Sequence, residues 1–138
     1  MENKFTCIII DDEELARQEL IKLLTAYAQI KIIAEATSGQ EGLKLIEKHQ
    51  PDIIFLDLEM PLMNGFEMFS KLKKQPKVIF MTTLDEAAIK IFEEKSLDYL
   101  LKPFEEEALE KNIQKLNITH KPLAQPLKNL LDQFKLKL

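Results

Sequence analysis

Ile53-Ile54-Phe55-Leu56-Asp57 is an apolar, strand-like run that stops on a carboxylate. The same ending recurs along the chain. Ile8-Ile9-Ile10 runs into Asp11-Asp12, Val78-Ile79-Phe80-Met81 into Thr82, and Leu97-Asp98-Tyr99-Leu100-Leu101 into Lys102-Pro103. Near-continuous apolar runs are the mark of strands covered on both faces, as in a parallel sheet. In an open parallel sheet the carboxyl ends of the strands share one edge, and ligands bind there. Three carboxylates, a hydroxyl and an ammonium therefore converge from distant parts of the sequence. Like charges held this close are costly unless a cation sits among them or one is neutralised. A divalent metal plus a lysine resolves that cost and makes the place suited to handling a phosphoryl group.

Strand-like and helical patterns alternate five times, which predicts an α/β fold. The runs 5–10, 53–57 and 78–82 read as inner strands. The runs 31–36 and 97–101 carry Lys31, Glu35 and Asp98, as suits edge strands that meet water. That placement fits a flavodoxin-like, doubly wound (βα)5 fold with a parallel five-stranded sheet in the order 2-1-3-4-5. Ala16, Leu20, Leu23, Leu24 and Tyr27 form an apolar stripe at helical spacing. Ser38 with Glu41, and Asn64 with Glu67, read as capping signals for the second and third helices. Leu43 and Ile46 then face inward on one, and Phe66, Phe69 and Leu72 on the other. Asp85 is placed as the cap of a fourth helix containing Ala88, Ile91 and Phe92. Glu105, Glu106 and Glu107 crowd the first turn of the fifth, where the helix dipole favours negative charge. Gly65 is expected to end a tight loop at positive φ.

The 138 residues suffice for one domain with a proper core. No apolar run approaches the ~20 residues of a membrane helix, and Met-Glu-Asn-Lys-Phe lacks a signal-peptide layout, so a cytoplasmic location is expected. The single cysteine, Cys7, cannot form an internal disulfide and reads as a small core residue. Net charge is −4, unevenly spread: residues 1–119 hold 15 Lys/Arg against 22 Asp/Glu, residues 120–138 four Lys against one Asp. An acidic body repels phosphate backbones, which argues against direct nucleic-acid binding. His49 and His120 have no partners at ligand spacing, and Met60, Met63 and Met68 read as packing rather than metal ligands.

The chain resembles the receiver domain of bacterial two-component response regulators. The resemblance rests on Ile-Ile-Asp-Asp-Glu-Glu at 9–14, Asp-Leu-Glu-Met-Pro-Leu-Met-Asn-Gly at 57–65, Thr82, and Leu-Asp-Tyr-Leu-Leu-Lys-Pro-Phe at 97–104, and spans roughly residues 5–116. It implies that Asp57 is the phosphoacceptor. It further implies Mg2+ bound directly by Asp12 and Asp57, through water by Asp11, and by the backbone carbonyl of Glu59. Lys102 would offer a point charge to the phosphoryl oxygens, before a cis Lys102–Pro103 bond. Thr82 would hydrogen-bond a phosphoryl oxygen, and Tyr99 would turn inward as a switch aromatic. Taken alone, Asp11-Asp12 reads as a helix cap, Thr82 as a β-branched strand residue and Tyr99 as a half-buried edge-strand aromatic. The set is what favours the site. Thr83 departs from the small residue that receivers commonly carry after the hydroxyl, and its bulk is expected to restrict access by small phosphodonors or water.

The resulting expectation is a switch, not a metabolic enzyme. A sensor histidine kinase is its phosphodonor, and its output face comprises the fourth helix, fifth strand and fifth helix. Asp85-Glu-Ala-Ala-Ile-Lys-Ile-Phe-Glu and Asp12-Glu-Glu-Leu-Ala-Arg17 resemble receivers joined to LytTR-type DNA-binding domains. On that reading 1–118 is the receiver and 119–138 a linker toward an absent effector domain. Leu127, Leu130, Leu131 and Phe134 there form the stripe of an amphipathic helix. Homodimers through that helix or the output face are expected. Two rivals remain: an Mg2+-dependent phosphohydrolase with Asp57 as nucleophile, and a degenerate receiver acting only in protein interaction. For a hydrolase, Glu59 is a loose substitute for the second acid expected two residues after the nucleophile. The intact acidic set with Thr82 and Lys102 argues against a degenerate receiver.

Overall fold

The computed structural model describes residues 5–74, 76–83 and 86–117. Five strands alternate with five helices: β1 (Phe5–Ile10), α1 (Glu14–Leu24), β2 (Ile30–Ala36), α2 (Gly39–His49), β3 (Ile53–Asp57), α3 (Gly65–Ser70), β4 (Lys77–Thr82), α4 (Glu86–Glu94), β5 (Asp98–Leu101) and α5 (Glu106–Gln114). A 3-10 turn, Lys115–Asn117, follows. The sheet is parallel throughout, in the order β2-β1-β3-β4-β5. The charged strands β2 and β5 lie at its edges.

Alternation along each strand divides the core into two layers. Ile8, Ile10, Ile54, Leu56 and Phe80 pack on one face with Ile46 of α2, Phe66 and Phe69 of α3, and Phe92 of α4. Cys7, Ile9, Phe55, Ile79 and Met81 pack on the other with Leu20 and Leu24 of α1, and Leu109 and Ile113 of α5. Burial pushes the Cys7 thiol up to about 12, in keeping with an inert core residue.

Helix ends follow local chemistry. Ser38 Oγ accepts from the Glu41 amide, while Glu41 Oε1 accepts from the Thr37 amide, one residue earlier than a reciprocal box on Ser38 itself. Asn64 Oδ1 accepts from the Glu67 amide. Two expectations need correction. Gly65 does not sit at positive φ. It opens α3, and a Cβ there would lie 2.6 Å from the backbone oxygen of Asp57, so close approach excludes a side chain. Leu97 is not a strand residue. Its amide donates to Phe92 O at 2.8 Å and the Ser96 amide to Glu93 O at 3.1 Å, with Ser96 at φ 56. That pair of bonds is a Schellman closure of α4, so β5 starts one residue later. Tyr27 and Leu72 lie past the ends of α1 and α3 yet still pack on the core. Asp85 and the stripe within 119–138 lie outside the described residues, and Ala88 is described in its backbone alone.

Candidate phosphoacceptor site

β1, β3, β4 and β5 end side by side, and backbone bonds tie their ends together. The Leu58 amide donates to Met81 O and the Lys102 amide to Thr82 O, each at 3.0 Å. Asp57 is 2% exposed; Asp11 and Thr82 are fully buried. The Glu59 amide donates to Asp57 Oδ1 at 3.2 Å, which fixes one oxygen of that carboxylate. The Glu13 amide donates to Asp11 Oδ1 at 2.9 Å, so Asp11 shapes the turn ahead of α1 without capping the helix, whose N-cap residue is Glu13 and has no side-chain cap bond. Arg17 steadies the same turn. Its Nη1 donates to the Asp11 carbonyl at 2.9 Å and its Nε to Glu35 Oε1 of β2 at 3.1 Å.

Lys102, 12% exposed, places Nζ 2.7 Å from Asp11 Oδ2, 3.0 Å from Glu13 Oε1 and 3.6 Å from Asp57 Oδ2. Its peptide bond to Pro103 is cis. Burial works against the ammonium, but the carboxylates of Asp11, Asp57 and Glu13 outweigh it and hold Lys102 above its usual value. Burial first, and the Asp11 carboxylate second, push Asp57 up to about 7, against lowering by Lys102 and the Glu59 amide. One ammonium thus leaves an excess of negative charge around the two buried carboxylates.

The acids suit a hard cation. Carboxylate oxygens of Asp11, Asp12, Glu13 and Asp57 lie within 4.8 Å of one another. Asp11 Oδ2, buried, accepts no well-aligned hydrogen bond among the described residues, although Lys102 Nζ stands close by. Buried and exposed carboxylates together offer the few oxygens, open to water, that Mg2+ prefers. Glu13 is a site residue that the sequence reading does not single out, although it adjoins the acidic pair; the convergence of the carboxylates and the reach of Lys102 reveal it.

Two further contacts border the site. Thr83 Oγ1 donates to Glu59 Oε2 at 3.1 Å, joining the loops that follow β4 and β3. On β5 the Tyr99 hydroxyl donates to Glu93 Oε1 of α4 at 3.1 Å, and the Tyr99 ring stacks on Phe92 at 5.3 Å between centroids.

Residues 7–114 match the family model of the response regulator receiver domain. The chain belongs to that family. A response regulatory protein of Vibrio cholerae is 43% identical over 88% of this chain and 54% of its own length. The transcriptional regulatory protein BtsR of Escherichia coli is 43% identical over 79% of the chain and 46% of its own. The chain thus spans about half the length of the curated relatives it matches. Among solved structures, the response regulatory domain of mrkE from Klebsiella pneumoniae matches with a TM-score of 0.68 and 34% identity, over 81% of this chain and 94% of that one. The response regulator domain of CheB from Thermotoga maritima matches with a TM-score of 0.72 and 26% identity, over 86% and 100%. No helix among the described residues is long and apolar enough to cross a membrane.

Proposed function

We propose that this receiver is a phosphoacceptor switch in which Asp57 takes a phosphoryl group from a histidine kinase. The observation that carries the reading is Asp57 itself: a buried carboxylate at a strand end, raised to about 7, with an ammonium 3.6 Å away and the carboxylates of Asp11, Asp12 and Glu13 converging on it. Perturbed carboxylates of this kind cluster at functional sites.

In the proposed reaction an Asp57 oxygen attacks the phosphorus of a phosphohistidine. The O–P bond forms as the P–N bond breaks, and the departing imidazole keeps its electron pair and is protonated from water. The product is an acyl phosphate. Asp11, Asp12, Asp57 and the Glu59 carbonyl would hold Mg2+, which when bound supplies positive charge to the transferring phosphoryl oxygens. The Glu59 amide orients the nucleophile. Lys102 adds a second positive charge. Thr82 offers its hydroxyl to a phosphoryl oxygen, and Tyr99 reports the change to α4. The remainder of the reading is a cytoplasmic transcription regulator with a LytTR-type output domain beyond this chain. It draws support from the sequence resemblance and from BtsR being a transcriptional regulatory protein.

Incubation with acetyl phosphate and Mg2+, followed by intact-mass measurement, tests the switch. One phosphoryl group is expected on the wild type, and none on Asp57→Asn or after excess chelator. Equal labelling of the variant would remove Asp57 from its role.

A further inference from the structure

At the other edge of the sheet, where β3 and β4 begin, the turn after α3 and the last turns of α2 border an open-sided hollow of about 440 Å3. Ile46, Leu72 and Pro76 supply apolar lining, and exposed Lys71, Lys73 and Lys74 stand around it with Glu47 as the acid. We propose that this hollow docks an acidic segment of a partner protein, which seats an aliphatic side chain against Ile46 and Leu72 and sets carboxylates against the three lysines.

Charge selects the occupant. In a chain of net charge −4, three lysines within four residues make a local reversal of sign. A helix C-terminus accounts for one of them, since Lys71 caps α3, but Lys73 and Lys74 lie past it in the turn. The volume falls within the ~300–1,000 Å3 of pockets that enclose ligands. An apolar anchor inside a charged rim is the usual anatomy of a protein-binding hot spot. The chain's own residues 118–138 are a poor occupant, because their four lysines against one aspartate repeat the sign of the rim. A nucleic-acid backbone would find no use for the apolar lining and would meet a net negative protein. The hollow lies across the sheet from Asp57, so a partner held there leaves the phosphoacceptor open. The proposal does not depend on phosphorylation.

The test is an amide-resonance titration of the 15N-labelled full chain with a synthetic peptide alternating glutamate and leucine. Expected are shifts at Ile46, Leu72 and Lys73 with those of Asp57 unmoved, and binding weakened roughly tenfold when the peptide glutamates become glutamine. Lys73→Glu with Lys74→Glu, both on the surface, should abolish the shifts while the rest of the spectrum stays in place. Absence of shifts at the hollow would overturn the proposal. So would equal binding of the glutamine peptide, binding retained by the double variant, or tighter binding of decanoate or of anionic phosphatidylglycerol vesicles than of the peptide.

Discussion

Asp57 and its immediate neighbours set the most direct consequences. Its carboxyl is raised from 3.8 to about 7 by burial and by Asp11. Between those values the folded chain binds more protons than the unfolded one, so stability is lost as pH climbs through the window. In metal-free solution Asp57→Asn cannot charge and escapes that loss. Its Tm should match the wild type near about pH 4 and exceed it by several degrees near about pH 8, since ~1 kcal/mol moves Tm by about 2–8 °C. A Tm difference independent of pH would contradict the field described for the pocket. Gly65→Ala should be harmful for a different reason: its Cβ meets the Asp57 carbonyl at 2.6 Å. Overpacking against backbone costs about 1–3 kcal/mol, visible in urea unfolding, and displaced Asp57 should label more slowly. The Thr83–Glu59 bond joins two loops beside the site. If it restricts water, Thr83→Ala should shorten the phosphorylated state's half-life, roughly twofold to tenfold given the ~0.5–1.5 kcal/mol of one such bond. An unchanged half-life would assign that contact to loop packing alone. The sequence exposed Asp57 and Asp11 because each ends an apolar run. It hid Glu13, whose part depends on how far Lys102 reaches, and it misread Gly65, because a glycine required for close approach looks the same as one required for positive φ.

On the proposed function, a change at Asp57 would travel outward through whole elements. β4 ends on Thr82, α4 follows, and Tyr99 on β5 is held against α4 by the Glu93 hydrogen bond and the Phe92 ring. Asn112 on α5 completes the face, with Nδ2 donating to the carbonyls of Tyr99 and Ala108, both at 3.0 Å. Leu109 and Ile113 of α5 are core residues, and the polar Asn112 between them is nearly buried as well. Asn112→Ala leaves the Tyr99 carbonyl without this donor and should cost about 1–3 kcal/mol in denaturant unfolding, concentrated at the α5–β5 contact. On phosphorylation the amide resonances of Tyr99, Glu93 and α4 should shift together. Shifts confined to the surroundings of Asp57 would deny these elements a part in the switch. Edge strands were legible because Lys31, Glu35 and Asp98 interrupt apolar runs. The start of β5 was not, because the apolar Leu97 looks like strand while its amide closes α4.

At the scale of the whole molecule, a two-layer core around one sheet places the acidic set and Lys102 at the carboxyl edge and leaves the other edge for the lysine-rimmed hollow. The charges that interrupt β2 and β5 agree with their places at the sheet edges, and the order β2-β1-β3-β4-β5 brings Asp11, Asp12, Asp57, Thr82 and Lys102 to one end of the strands. Which residue of this acidic set receives the phosphoryl group is the central claim, and chemical trapping tests it most directly. After phosphotransfer from a phosphorylated histidine kinase, borohydride reduces an aspartyl phosphate to homoserine, which peptide mass mapping locates. The account predicts homoserine at position 57 alone, dependent on Mg2+. Conversion at Asp11 or Asp12, or a phosphoryl group borne by the chain with Asp57 intact, would contradict it.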